Sequence, residues 1–371
     1  MKKVVVFYFI LVFFGCDPFV DTFDDSSITE AKMFQAIEVS DSLVYDGGSI
    51  RVLTWNVRNG LGRFPWLYDS CGDSVVGRKP QIEKNLLEIA NKLNNINADV
   101  VLLQEVDILS KRSGYIDQIQ FLLDNTSFNY GCYGSMLKAD FALKDGHGMV
   151  DGGNAILSKY KLEDAKRIPL ALRTDQSSIV QYGYLRRNIL KTKIPDLKQG
   201  NKDFYVVNIH ATAFATDDTK QKHIDKLIEI LVEIENEGSI FVSGGDLNSV
   251  PPGSEIDFCE NDKCEGEVCD GDYKNNEAYY GTYFNHFDGE PDLLVPLYAS
   301  YNAAIGSAEA NLPEHFTHAK STSYEINNVK FDRKLDYLFT NGSWSSSVTH
   351  QGAWELSDHT PVSSYFSFEN E

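Results

Sequence analysis

The chain has 371 residues, of which 42% are hydrophobic, 12% aromatic and 24% charged. That balance can bury a sizeable core and excludes a disordered or collagen-like polymer. With 34 basic against 54 acidic side chains the net charge is −20, which excludes a protein held on nucleic acid mainly by its overall charge; only a local basic or metal-charged patch would receive a polyanion.

Met1-Lys2-Lys3 is a short basic start, and the apolar run from Val4 to Gly15 is too brief to span a bilayer as a mature helix. Residues 1–15 therefore read as a signal peptide. The run ends Phe13-Phe14-Gly15-Cys16, which resembles the lipobox of bacterial lipoproteins, where cleavage before the cysteine leaves its thiol carrying lipid; an ordinary signal with an incidental cysteine is the alternative. The expected product is exported, lipid-anchored to the envelope through Cys16 and monomeric. Loss of Lys2 and Lys3 takes its net charge from −20 to −22. Residues 16–49, with Asp17, Asp21, Asp24 and Asp25, read as an acidic tether, within which Met33–Val39 has strand character.

Beyond Cys16 there are Cys71, Cys132, Cys259, Cys264 and Cys269. Export into an oxidising compartment makes disulfides the expectation, with an odd thiol left over. The evenly spaced run Cys259, Cys264, Cys269 reads as a stapled loop, since zinc sites favour tighter pairs with histidine or a fourth cysteine nearby.

From residue 50 to 371 the chain reads as one catalytic-sized domain. Apolar runs at Ile50–Val57, Ala98–Gln104, Asn154–Leu157, Asn188–Ile194, Phe204–Ile209, Ser239–Ser243, Leu335–Phe339 and Val362–Phe368 are bounded by Gly, Asp, Asn or Pro and predict strands, mostly buried ones. Ile82, Leu86, Ile89, Leu93 and Ile224, Leu227, Ile228, Leu231, Ile234 step by three or four residues and predict helices. Interleaved strands and helices predict an α/β fold. No internal repeat is visible in the sequence. Leu61–Pro80, Asp107–Gly152 and Pro251–Leu293 read as long loops rich in aromatic side chains.

Chemistry gathers where these runs end. The predicted strands deliver Asn56, Glu105, His210, Asp246 with Asn248, Asp336, and Asp358 with His359. A carboxylate or imidazole at the end of an apolar strand is costly to bury unless paired or metal-bound, and ligand sites of α/β sheets collect at strand ends. Singly, each has an ordinary explanation as a cap, a turn residue or a satisfied core histidine. Together, hard oxygen donors beside two histidines suit Mg2+ or Mn2+ with acid–base partners better than zinc.

The order of motifs resembles the endonuclease/exonuclease/phosphatase superfamily, which includes pancreatic deoxyribonuclease, abasic-site endonucleases, bacterial sphingomyelinases and inositol-polyphosphate 5-phosphatases. The matching stretches are Thr54-Trp55-Asn56-Val57, Leu103-Gln104-Glu105-Val106, Gly153-Asn154-Ala155-Ile156-Leu157-Ser158, Val207-Asn208-Ile209-His210, Gly245-Asp246-Leu247-Asn248, Leu335-Asp336-Tyr337-Leu338 and Ser357-Asp358-His359. The resemblance implies a four-layer α/β sandwich, with two packed, mainly antiparallel mixed sheets flanked by helices. It implies that Asn56 and Glu105 hold a divalent cation with Asp358 nearby, and that His359 activates water with its imidazole oriented by Asp336. Asp246 and Asn248 then position the water and a phosphoryl oxygen, and His210 donates to the phosphoryl or leaving oxygen. Arg187 resembles an arginine that touches phosphate, with Arg186 competing for the role, and Asn154 supports the site. The Ile209-His210-Ala211-Thr212-Ala213-Phe214 stretch departs from the commoner Thr-His-Leu exit, so substrate identity does not carry over.

The expected activity is hydrolysis of a phosphodiester or phosphomonoester in a small organic or lipid-derived substrate outside the cytoplasm. An extracellular nuclease is the runner-up, disfavoured by the net charge, and a non-catalytic binding lipoprotein is the third reading. The acidic stretch from Asp257 to Asp272 is a candidate for Ca2+, but it lacks the Gly-centred twelve-residue spacing, and a solvated face is the simpler reading.

Overall fold

The computed structural model describes residues 26–39, 45, 47–66, 72–142, 148–198, 200–213, 215, 217–254, 292–319 and 329–368. In chain order the strands are β1 (Thr29–Glu30), β2 (Lys32–Gln35), β3 (Ile50–Asn56), β4 (Val100–Asp107), β5 (Tyr130–Ala142), β6 (Gly148–Ser158), β7 (Glu163–Pro169) and β8 (Asn188–Lys193). They continue with β9 (Phe204–His210), β10 (Ile240–Asp246), β11 (Asn302–Ala303), β12 (His318–Ala319), β13 (Phe331–Arg333), β14 (Asp336–Thr340), β15 (Ser343–Thr349) and β16 (Val362–Ser367). The helices that matter for packing are α1 (Lys79–Ile96), α2 (Gln118–Asp124), α3 (Ser178–Tyr182) and α4 (Thr219–Asn236).

One seven-stranded sheet runs β15-β16-β3-β4-β6-β5-β2 and the other β1-β7-β8-β9-β10-β14-β11. In the first sheet β3 and β4 pair in parallel, and in the second β9 and β10 do; the remaining pairings in both sheets are antiparallel. Each parallel pair is joined through one long helix, α1 in one case and α4 in the other, as a parallel connection requires. The two halves thus share a β-α-β unit that the sequence does not reveal as a repeat.

The expected four layers follow from which face each side chain takes. Along β3 and β4, Val52, Val100 and Leu102 pack between the sheets with Leu190, Phe204, Val206, Val242 and Leu338. Their neighbours Leu53, Val101 and Leu103 turn outward beneath Ile82, Leu86, Ile89 and Leu93 of α1 and Ile119 and Leu122 of α2. In the second sheet Val207, Ile209 and Phe241 face Ile224, Leu227, Leu231 and Ile234 of α4. Strands buried on both faces are why the sequence reads as continuous apolar runs.

The interior between the sheets contains a polar bridge. Gln104 of β4 donates from Nε2 to Asn208 Oδ1 at 2.7 Å, and Asn208 Nδ2 donates to the carbonyls of Leu103 at 2.8 Å and Ala155 at 2.9 Å. Both side chains are fully buried, and their bonds offset most of that burial, with only Gln104 Oε1 left without a partner among the described residues.

Two expectations change. Asp107–Gly152 is not one long loop: it contains α2 and much of the β5–β6 hairpin, whose register shifts at Ser135 and Ala139 break the alternation that would have disclosed it. Part of the segment read as a tether joins the domain, since β1 (Thr29–Glu30) pairs with β7 and β2 (Lys32–Gln35) with β5. Cys132 is a free buried thiol, which the odd number of cysteines allows for; burial pushes it up to about 12, so it behaves as a small apolar group. Residues 1–15, Cys16, Cys71, Cys259, Cys264, Cys269 and the acidic stretch 257–272 lie outside the described residues. Among the described residues no helix is long and apolar enough to cross a membrane.

Asn208→Ala should strip the Gln104 amide of its inter-sheet acceptor and lower stability by about 3 kcal/mol, at the cost of roughly 1–3 kcal/mol per buried group left unpaired. Urea denaturation reads this as a lower midpoint; a midpoint matching the parent would show that the bridge contributes nothing.

Candidate active site

Strand register brings the site together. Asp246 lies opposite His210 on one side and Asp336 on the other, so β9, β10 and β14 deliver three functional groups at one level. Gly245 permits this approach: its φ is +138°, and a Cβ there would stand 1.8 Å from the Ile209 carbonyl oxygen. On the other sheet Asn56 ends β3 opposite Gln104. Glu105 then falls in a β-bulge with φ +54°, a left-handed conformation that costs a non-glycine residue about 1–2 kcal/mol. The bulge turns its carboxylate toward the neighbouring strand ends, as bulges near active sites commonly do. Asn59 and Asn248 also have positive φ, at 54° and 47°, so backbone strain concentrates around the same point.

Asn56 donates from Nδ2 to Glu105 Oε1 at 3.0 Å and to Asp246 Oδ2 at 3.1 Å. Its Oδ1 accepts the Arg58 backbone N–H at 3.0 Å, so its amide nitrogen, rather than its oxygen, faces the two carboxylates. Asn59 Nδ2 donates to the other oxygen of Glu105 at 3.2 Å. Asn248 is tied down by its backbone N–H to Asp246 Oδ1 at 2.9 Å and its side chain to the Ala211 carbonyl at 3.0 Å.

His359 Nδ1 lies 2.7 Å from Asp336 Oδ2, and its Nε2 is 3.8 Å from Asp246 Oδ2. The loop carrying it is pinned to β3: Trp55 Nε1 donates to the His359 carbonyl at 2.9 Å, and Ser357 Oγ to the Asn56 carbonyl at 2.8 Å. His210 Nε2 sits 3.4 Å from Asp246 Oδ2 and 3.9 Å from Glu105 Oε1. Asp358 Oδ2 is 3.4 Å from Arg58 Nε.

Electrostatics separate these groups. Burial, then the charge of Asp358, raises the Glu105 carboxyl above its ordinary range. Burial likewise raises Asp246. Asp358 goes the other way, held at about 2 despite burial by Arg58 and His359. Burial disfavours charge on His359, yet Asp336 and Asp246 outweigh it and lift the imidazole well above its usual range. His210 is driven well below, first by burial and then by Arg187, which makes it a neutral imidazole at neutral pH.

Arg187 is buried, and its Nε and Nη1 have no partner among the described residues; its charge lowers both Glu105 and His210. Arg186, its competitor in the sequence, is spoken for by the carbonyls of Gln181 and Tyr184, at 2.7 Å each. Asn154 Nδ2 donates to the carbonyl of Asn188, the residue following Arg187, at 3.1 Å, so it supports the arginine's strand. Arg58, Asn59, His223 and His318 are site elements that the sequence reading did not single out. Of these only Asn59 carried a usable signal, the Asn59-Gly60 turn dipeptide. His223 accepts the Thr212 N–H at Nδ1, 3.1 Å away, and donates from Nε2 to the Ala171 carbonyl at 2.7 Å, stapling the segment after His210.

The donor chemistry fits a divalent cation. Glu105, Asp246 and Asp358 are carboxylates with Arg58 against only one of them, and two are held above their ordinary range. Hard oxygen ligands with a charge surplus suit Mg2+ or Mn2+.

Residues 53–359 match the family model described as the Endonuclease/Exonuclease/phosphatase family. The chain belongs to that family, whose fold is that of metal-dependent phosphoesterases and nucleases. Among solved structures it is similar to an endonuclease/exonuclease/phosphatase from Beutenbergia cavernae DSM 12333, at 14% identity and TM-score 0.56 over 87% of this chain and 72% of that one. It is also similar to one from Bacteroides vulgatus (15%, TM-score 0.50, 87% and 100%). The human Nocturnin catalytic domain with bound sulfate anion gives 16% identity and TM-score 0.50 over 91% of this chain and 98% of that one. No curated protein matches the chain.

Groups whose proton affinity is raised carry protons that a cation must displace. Mg2+ binding should therefore release protons and weaken as pH falls, and Glu105→Ala should move the titration to higher Mg2+. Calorimetry in two buffers of different ionisation enthalpy measures both; identical heats in the two buffers would contradict the assignment.

Proposed function

We propose that the protein is a divalent-metal-dependent phosphoesterase that hydrolyses a small organic or lipid-derived phosphodiester or phosphomonoester outside the cytoplasm. The observation that carries this reading is the His359–Asp336 pair, 2.7 Å apart, standing beside Asp246 with Glu105 and Asp358 close by.

When bound at Glu105 and Asp358, Mg2+ or Mn2+ supplies a Lewis acid for a phosphoryl oxygen and neutralises the negative charge around His359. The chain's own groups do the rest. His359 Nε2 accepts a proton from water while Asp336 holds its Nδ1–H and so fixes the tautomer. Asp246 and Asn248 orient that water. His210, neutral at physiological pH, donates a hydrogen bond to the phosphoryl or leaving oxygen and acts as an oriented dipole. Arg187 adds a fixed positive charge with open N–H groups, which suits one phosphate group.

The net charge supports a compact phosphoester over a long polyanion. The lipobox-like Phe13-Phe14-Gly15-Cys16 supports a lipid anchor at the envelope, with a membrane-proximal substrate in reach. Cys16→Ala should move the protein from the membrane fraction to the soluble fraction; unchanged fractionation would remove the anchor from the proposal.

Turnover is tested on bis-p-nitrophenyl phosphate, a phosphomonoester, sphingomyelin, phosphatidylinositol and plasmid DNA, each with Mg2+ and with chelator. At least one small or lipid ester should turn over only with the metal. DNA nicking at low enzyme would reassign the protein as a nuclease, and no turnover of any substrate with any ion would leave a binding lipoprotein. On the substrate found, His359→Ala should lower kcat by about 10² or more, and a near-parental kcat would refute its role.

A further inference from the structure

A second histidine stands beside His359 in a matching setting. His318 pairs its backbone with that of His359 in an isolated antiparallel bridge, and the Ala319 N–H donates to the Asp358 carbonyl at 2.8 Å. The pairing places the two imidazole centroids 5.2 Å apart, edge to face. His318 Nδ1 is 2.9 Å from Asp332 Oδ1, just as His359 Nδ1 is 2.7 Å from Asp336 Oδ2. Asp332 is itself clamped by Arg333, from Nε at 2.9 Å and Nη2 at 2.6 Å.

Both rings therefore turn Nδ1 to a carboxylate and leave Nε2 for something else. A ligating atom from each of His318, Asp358 and His359 lies within 4.8 Å of the other two. Two atoms each about 2.1 Å from one ion lie up to about 4.2 Å apart, so small side-chain rotations close this group on a cation. Imidazoles that ligate metals almost always carry a carboxylate or carbonyl partner on the other nitrogen, which fixes the tautomer and raises ligand basicity. Here both do. The set of two nitrogens and one carboxylate differs from the oxygen-rich surroundings of Glu105, and it favours borderline ions over Mg2+.

We propose that His318, Asp358 and His359 form a transition-metal site, for an ion of the Zn2+ or Co2+ class, that shares Asp358 with the Mg2+ position. An ion seated there takes the Nε2 lone pair of His359. Under the proposed phosphoesterase reading, on which this consequence alone rests, such an ion inhibits Mg2+-supported turnover.

The site is tested on the mature wild-type protein loaded with Co2+. Proton NMR should show two strongly shifted N–H signals that disappear in D2O, one from each Nδ1–H. Fewer than two would overturn the proposal, whatever any variant does. In Zn2+ competition calorimetry, His318→Gln and Asp332→Asn should each weaken binding by at least about 10-fold, the loss expected even of an outer partner; affinity within twofold of wild type in both would also overturn it. Zn2+ should inhibit Mg2+-supported turnover of the wild type at lower concentration than that of His318→Gln, and equal inhibition would refute the inhibitory role. If no substrate turns over with any ion, the phosphoesterase reading fails, while the NMR and calorimetry still decide the site.

Discussion

Three largely buried carboxylates around Asn56 and His359, Glu105 and Asp246 on strands of different sheets and Asp358 in the loop before β16, govern the design of this molecule. The charge of Asp358 acts on Glu105, Glu105 and Asp246 share the Asn56 amide, and among the described residues Arg58 is the one arginine or lysine within ion-pair reach of the three, at Asp358. Burial alone would expel the charge or protonate it. The protein tolerates the cluster by dividing it: Asp358 keeps its charge against Arg58, while Glu105 and Asp246 are left needing protons or a cation. A site that binds a divalent ion has to be built short of positive charge, and this one is.

Holding such a cluster in place takes rigid surroundings. Glu105 occupies a left-handed conformation that nothing local favours. Its two oxygens are gripped by Asn56 and Asn59, and Asn59 is in turn fixed by Arg112, whose guanidinium also makes two bonds to Asp107. One residue before Glu105, Gln104 reaches across to Asn208 of the other sheet. Two residues beyond Asn208 stands His210, so the same polar bridge that joins the sheets also sets the spacing between the Glu105 half and the His210 half of the site.

How much of this the sequence disclosed follows from burial. Runs such as Val100–Leu103 and Phe204–Ile209 are covered on both faces, and their apolar continuity is visible without any partner. Edge and near-edge strands such as β5, β7 and β15 carry mixed side chains, bulges and one-sided burial, so Tyr130–Ala142 read as part of a loop and Ser343–Thr349 gave no strand signal. The same division holds in the site. Asn56, His210 and Asp246 end legible strands and Glu105 lies near the end of another, whereas Asp358 sits in the loop before β16, where the apolar run Leu356-Ser357 suggested a strand exit. Arg58 and His318 carry no such signal: a buried arginine and a surface arginine are the same letter. His318 gains its meaning only from pairing with a residue forty-one positions further along the chain.

The two aspartate–histidine pairs at the centre are alike in geometry and unlike in charge. Asp332 shares its negative charge with Arg333 through two hydrogen bonds, so it orients the His318 ring while adding little net field. Among the described residues Asp336 has no arginine against it. Lys334, two residues earlier, is fully buried and its ammonium is pushed down to about 7 by burial, so it offsets little of that charge. Asp336 therefore acts on His359 at nearly full strength and lifts its proton affinity. An imidazole oriented without added charge is suited to offering a lone pair to a metal, and one backed by a bare carboxylate is suited to taking a proton. The difference between ligand and base is thus set one residue further out, by whether an arginine stands behind the aspartate.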